Sequence, residues 1–351
     1  MGMNCWRRIR SARVVVVTTM CLGSLVIGGS IAQSRPSGAH SCQWRITAIE
    51  SGPVFNETQF LDPLHAYGTD GDCVWASEDG GRHWTKSHCV QSGSDKRDRI
   101  RGLQFFNWSE GWAVEGFHVL LHTTDGGRSW APHAFDKQII FGLRFATPER
   151  GWWVGEQPLS GVLDHRGAIY STADGGETWD EIPAKLNSQS AWKLLQVWPS
   201  SPTDVWAVGD VVVHSLDSGK SWPQLRVRSP ELDRFGNVKI QFQTPRLGWI
   251  LRNPPDNYLV TEDGGKNWSP RHPPTKPPFV DDLFYLDPQE AWLAAGRVYH
   301  SLDGGVSWSV SLGSESGETE PRYGALQYLT DEYLLIATGN HNIAFCKLPG
   351  R

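Results

Sequence analysis

The sequence predicts an all-β protein built from seven copies of one four-stranded unit, and three interleaved repeats predict it. The first is an eight-residue motif ending in Trp, found at 77–84 (SEDGGRHW), 123–130 (TTDGGRSW), 172–179 (TADGGETW), 215–222 (SLDSGKSW), 261–268 (TEDGGKNW) and 301–308 (SLDGGVSW). Its aspartates, Asp79, Asp125, Asp174, Asp217, Asp263 and Asp303, stand 46, 49, 43, 46 and 40 residues apart. A period of that size marks stacked copies of one supersecondary unit. The second repeat is a triplet present seven times: Thr58-Gln59-Phe60, Leu103-Gln104-Phe105, Leu143-Arg144-Phe145, Leu195-Gln196-Val197, Ile240-Gln241-Phe242, Leu283-Phe284-Tyr285 and Leu326-Gln327-Tyr328. The third carries Trp, as in Gly111-Trp112-Ala113-Val114, Gly151-Trp152-Trp153-Val154, Val205-Trp206-Ala207-Val208, Gly248-Trp249-Ile250-Leu251 and Ala291-Trp292-Leu293-Ala294, and degenerates to Tyr333-Leu334-Leu335-Ile336.

Each unit reads in order. The triplet alternates with apolar neighbours, as a half-buried strand requires. Pro63, Pro148, Pro199, Pro245 or Pro288 follows in several copies and marks a turn. The Trp element is the second strand. A short apolar stretch, as at 119–122, 211–214 and 298–300, makes the third. The Asp-x-Gly core then reverses the chain: the carboxylate accepts backbone N–H groups of its own turn, and Gly supplies the left-handed conformation. The Ser or Thr two places earlier adds a hydroxyl to that network. The Trp that follows folds its ring over the hairpin as the fourth strand begins. Six equivalent acids in six equivalent turns read as structural, not catalytic.

The pattern Ser/Thr-x-Asp-x-Gly-x-x-Trp resembles the Asp-box repeat of bacterial neuraminidases. The resemblance implies a β-propeller in which each box joins two strands of a blade away from the axis. Seven triplets against six boxes predict seven blades, the last (about 322–345) lacking its own fourth strand. The segment 43–49 has the alternation to supply it, which closes the ring and leaves no open edge. The expected propeller spans 42–348.

Residues 1–32 read as a signal peptide: Arg7, Arg8, Arg10 and Arg13 precede an apolar run at 14–29, and Ser30-Ile31-Ala32 offers small residues for cleavage. A short linker, 33–41, follows. The chain is therefore expected in the periplasm, a lumen or the extracellular space. Cys5 and Cys21 fall in the leader; four cysteines remain, an even number suited to disulfides in an exported chain. Cys73 is expected to pair with Cys89 across the first box hairpin, and Cys42 with Cys346 across the closure. No Cys-x-x-Cys spacing or His-x-His signature suggests a metal, and no cofactor is expected. Losing four arginines and no acids takes the net charge from −5 to −9, a poor field for nucleic acid. No segment after the leader is long and apolar enough to cross a membrane.

Function in a propeller sits at the axis or on the loops of one face. The N-terminal ends of the first strands carry Glu57, Arg99, Arg101, Lys193, Lys239, the pair Asp281 and Asp282, and Arg322, with Lys96, Arg97 and Asp98 extending the second. These predict a mouth ringed by Arg and Lys with an Asp pair opposite, suited to carboxylates or acidic protein loops. The loops at 157–167 and 269–278 exceed a plain blade connection; 313–320 is polar and acidic. His122, His214 and His300 recur just before the boxes and read as structural.

The combination at 111–130, Gly-Trp-Ala-Val through His-Thr-Thr-Asp-Gly-Gly-x-x-Trp, is similar to the photosystem II stability/assembly factor family. The resemblance covers nearly the whole chain after the leader. It implies an exported, non-enzymatic seven-bladed propeller that acts in photosynthesis by binding newly made membrane-protein subunits through a basic patch. Arg99, Arg101, Lys193, Lys239 and Arg322 are the positions for such a patch by blade position. Protein partners and action as a monomer are expected, with no catalytic residues. The rival readings are a glycan-active propeller, with Asp281 and Asp282 as acid and base, and a secreted sortilin-like recognition module. Adjacent strand residues point to opposite faces, which counts against that carboxylate pair.

Overall fold

A computed structural model of the chain describes residues 42–90, 99–158, 165–182, 193–225, 238–252, 258–274, 280–313, 322–329 and 334–348. The expected leader and linker lie outside these residues, as do Lys96, Arg97, Asp98, the acidic stretch 314–320 and parts of the loops at 157–167 and 269–278. The described residues form seven antiparallel four-stranded sheets, each built in sequence order except the last. Blade 1 shows the pattern: Glu57–Phe60, Ala66–Thr69, Cys73–Ser77 and Thr85–Cys89. The first strands of blades 2 to 7 are Ile100–Phe105, Ile139–Thr147, Leu194–Pro199, Val238–Phe242, Asp282–Tyr285 and Tyr323–Leu329. Successive blades contact one another round the ring, and the first strand of blade 7 returns to that of blade 1. The protein is an all-β, seven-bladed propeller.

Closure occurs where the sequence places it. Arg45–Ala48 pairs with Asn342–Lys347 in the register Arg45 to Phe345, giving blade 7 its outermost strand. Trp44, just before, donates from Nε1 to Ser311 Oγ of blade 6 at 3.0 Å. Disulfides join Cys42 to Cys346 across this closure and Cys73 to Cys89 across the third and fourth strands of blade 1.

The core lies between blades. The second-strand residues Trp112, Trp152, Trp206, Trp249 and Trp292 are among the largest fully buried side chains. Trp112, Val114 and Leu120 of blade 2 pack with Ile140, Leu143, Phe145 and Trp153 of blade 3. Trp206, Val208 and Val212 of blade 4 pack likewise with Ile240, Phe242 and Ile250 of blade 5. Each sheet thus buries its apolar face against its neighbour, and no blade has a complete core alone.

The box turns are polar clamps. In blade 3, Thr172 Oγ1 donates to Asp174 Oδ1 at 2.7 Å and accepts the Gly176 N–H at 2.8 Å. Asp174 also accepts the backbone N–H and the hydroxyl of Thr178, at 3.0 and 2.5 Å. Blades 2, 4, 5 and 6 repeat this with Ser129, Ser221, Asn267 and Ser307 as the answering side chain; blade 1 uses His83. The first Gly of the box also donates its N–H to the turn between first and second strands, as Gly175 does to Glu149. The second Gly takes positive φ and faces the preceding blade: a Cβ at Gly176 would run into the Trp112 ring, and one at Gly265 into Trp206. The box is therefore a turn and an inter-blade contact at once.

The repeated histidines have a structural place. His122, His214 and His300 stack on Trp112, Trp206 and Trp292 with centroids 4.2, 3.7 and 3.8 Å apart. Their Nε2 atoms lie 3.7, 2.9 and 3.1 Å from Glu110, Asp204 and Glu290.

Candidate functional site

The rim at the start of the first strands holds the sequence-predicted residues, but not as a row of unpaired cations. Arg99 is exposed, with Nε 3.9 Å from Asp72 of blade 1. Lys193 Nζ lies 3.2 Å from Glu156, a carboxylate almost wholly buried on blade 3. Lys239 Nζ donates to the Asp281 carbonyl of blade 6 at 2.7 Å. Asp281 lies in the field of Lys239 on one side and Arg322 on the other; burial still raises its carboxyl above the ordinary value, against the pull of both cations. In four places, then, a rim cation is matched with a group on a neighbouring blade.

Arg101 departs from the expected open mouth. Its guanidinium sits over the Phe117 ring, 4.4 Å from the centroid, and Nη2 donates to the Ile140 carbonyl of blade 3 at 2.9 Å. Burial lowers its pKa, opposed by the attraction of Glu57. Glu57, in turn, accepts the backbone N–H groups of Gly102 and Leu103. These two residues tie blades 1, 2 and 3 together just inside the rim.

The Asp281 and Asp282 pair is divided as strand alternation requires. Asp282 accepts Leu283 N–H through one oxygen and Leu326 N–H of blade 7 through the other, both at 3.0 Å. A carboxylate held this way is a structural clip between blades, which leaves the pair without the facing geometry of an acid and a base.

Below the rim, first-strand side chains bond the backbone of the next blade. Gln59 accepts Phe105 N–H and donates to its carbonyl, at 2.7 and 2.8 Å. Gln104 does the same to Phe145, at 2.9 and 3.1 Å, and Gln327 to Phe60, at 2.7 Å in each direction. Gln196 accepts Ile240 N–H. Arg144 stands in the triplet of blade 3 and lies over Trp198 of blade 4 at 4.8 Å, with no hydrogen-bond acceptor or ion-pair partner among the described residues. Its side chain is half-buried, and burial lowers its pKa against the attraction of Glu57. Sequence reading passed it over, although an Arg where five other triplets carry Gln at their centre was a visible departure.

Residues 37–140 and 135–233, together more than half of the chain, match the family model described as "Photosynthesis system II assembly factor YCF48". The chain is 26% identical over 307 residues to the photosystem II assembly lipoprotein Ycf48 of Synechococcus sp. (strain CC9902), covering 86% of this chain and 87% of that one. It is 25% identical over 193 residues to the photosystem II stability/assembly factor HCF136 of rice, Oryza sativa subsp. japonica, covering 52% and 44%. A solved structure described as YCF48 bound to D1 peptide superposes with a TM-score of 0.61 at 21% identity, covering 88% of this chain and 97% of that one. The GH74 xyloglucanase of Xanthomonas campestris gives the same TM-score at 14% identity over 54% of its chain, a likeness of fold alone. The chain belongs to the photosynthesis system II assembly factor YCF48 family.

Proposed function

We propose that this protein is an exported assembly factor that holds a peptide segment of a membrane-protein subunit against the rim of its propeller. Membership of a family whose relatives are named as photosystem II assembly factors carries this reading, and a solved relative described as bound to D1 peptide gives the partner its chemical form. The relatives described as a lipoprotein and as chloroplastic fit a site outside the cytosol. Lys193, Lys239, Arg322 and Arg99 are the contact residues in this reading, and their present partners suggest how it works. Asp72, Glu156 and Asp281 keep the cations ordered in the empty protein, and an incoming acidic segment exchanges with these acids. Recognition by exchange favours selectivity and a salt-sensitive association rate over raw affinity.

The test is capture of membrane-protein subunits, or of their synthetic terminal segments, by the purified protein. Wild type is expected to bind with an affinity that falls as salt rises, and Arg99→Glu, a change at an exposed side chain, to lose at least about tenfold while unfolding at the same temperature. Equal binding by both forms would reject the rim as the contact surface. Hydrolysis of a glycan by the purified protein would replace this reading with the enzymatic one.

A further inference from the structure

Each blade of a propeller must tie its innermost strand to the next, because backbone groups at the axis have no fifth strand to pair with. Here the ties are side chains. Glu57 and Gln59 reach blade 2, Gln104 reaches blade 3, Gln196 reaches blade 5, Lys239 reaches blade 6, Asp282 reaches blade 7 and Gln327 reaches blade 1. The step from blade 3 to blade 4 is made differently. Arg144 has only donors, five of them, and cannot accept the N–H that Gln accepts elsewhere. Its guanidinium lies over the Trp198 ring instead, 4.8 Å from the centroid.

That arrangement leaves a charge without an answer. Stacking covers the face of a guanidinium and leaves its edge, where the N–H groups point, unoccupied. Among the described residues none supplies Arg144 with an acceptor. The acid whose field reaches it is Glu57, and both Glu57 oxygens are engaged by Gly102 and Leu103. Arg101, attracted by the same Glu57, donates to Ile140, which is four residues before Arg144 on one strand, or about 13 Å nearer the rim. Two guanidiniums and one committed carboxylate therefore leave the axis beside blades 1 to 3 net positive. Arg144 thus replaces the Gln found at the centre of five triplets, and its contact is an aromatic ring rather than an acceptor; chains break such a local rule at functional sites.

We propose that Arg144 is the floor of an axial anion site that takes a carboxylate, bound edge-on by the guanidinium while Trp198 backs its face and Arg101 guides its approach. A carboxylate matches the paired N–H geometry of a guanidinium edge and restores the missing acceptor. It can come from a small organic acid or from the C-terminus of a chain threaded from the rim. The site is distinct from the rim contacts proposed above, and either can fail without the other.

The experiment is a titration of the 15N-arginine-labelled protein with acetate, at ionic strength held constant with chloride, following the side-chain Nε–H signals. The Arg144 signal, identified by its loss in both Arg144→Gln and Arg144→Lys, is expected to shift saturably with acetate. The Arg99→Glu rim variant is expected to keep that shift. An Arg144 signal that stays in place, or that follows chloride equally, would overturn the site without needing any variant to bind. A short peptide with a free C-terminal carboxylate and its amide complete the test. Saturation by acetate alone assigns a small acid, saturation by the free-acid peptide assigns a chain end, and equal binding of the amide rejects carboxylate recognition. Arg144→Lys keeps the charge but not the paired edge, and is expected to bind acetate about tenfold more weakly by calorimetry, the loss of roughly one charge-assisted hydrogen bond.

Discussion

At the scale of single residues, the second glycine of each box shows how a turn residue becomes a packing residue. Gly176 has φ of 90° and Gly265 of 81°, and each leaves only the space that the preceding blade's Trp ring fills. Gly176→Ala and Gly265→Ala are each expected to destabilise by about 1–3 kcal/mol through overpacking, with left-handed strain added. Gly324→Ala is the control: its Cβ would meet nothing nearer than Asp281 at 3.8 Å, and no left-handed φ constrains it. A change within about 0.5 kcal/mol is expected there. Urea unfolding of the three variants checks the contrast. The turn role of these glycines was legible in the sequence; the Trp beneath them was not, because it lies one blade back, 64 residues before Gly176.

At the scale of the element, the box turns set the acid limit of the fold. The Asp125, Asp174 and Asp217 carboxyls are held down to about 2 by the hydroxyls and then the N–H groups of Ser129, Thr178 and Ser221, and Asp263 by the N–H and amide of Asn267. Burial pushes Asp79 up, but its bonds to His83 and Ser77 outweigh that and bring it to about 2 as well. Each of these groups has a lower pKa folded than the ordinary 3.8, so the unfolded chain takes up protons first as the pH falls. Their stabilisation is complete above about pH 4 and is lost towards pH 2. The thermal midpoint is expected to hold from pH 6 to 4 and then drop steeply, and Asp174→Asn is expected to flatten that drop. Asp281 works the other way, since its raised carboxyl makes the folded state the tighter proton binder. The box could be read from eight residues because nearly every bond in it joins residues no more than four apart. The Trp–His–acid stacks of blades 2, 4 and 6 required the strand register, which sets Trp112 opposite His122, Trp206 opposite His214 and Trp292 opposite His300.

At the scale of the whole molecule, the ring is held shut at one seam. The Cys42–Cys346 bridge spans 304 residues and Cys73–Cys89 only 16. In the chain-entropy account the first constrains the unfolded chain by about 5–6 kcal/mol and the second by about 3. Replacing Cys42 and Cys346 by Ala is therefore expected to lower the unfolding temperature more than replacing Cys73 and Cys89, and to speed proteolysis beginning at the closure strand. Calorimetry of the two double variants checks the order. Strand count, box geometry, blade number, the closing strand and both cysteine pairs were all open to a reader of the sequence alone, because repetition and strand alternation are properties of neighbouring residues. Only the tertiary structure decided which charges meet. Asp72 and Arg99, Glu156 and Lys193, and Asp281 and Lys239 come from different blades, and among the described residues Arg144 meets the Trp198 ring across a blade boundary and no acceptor. A repeat fixes what each blade contains, whereas the angle and register at which two blades pack determine which side chain finds a partner.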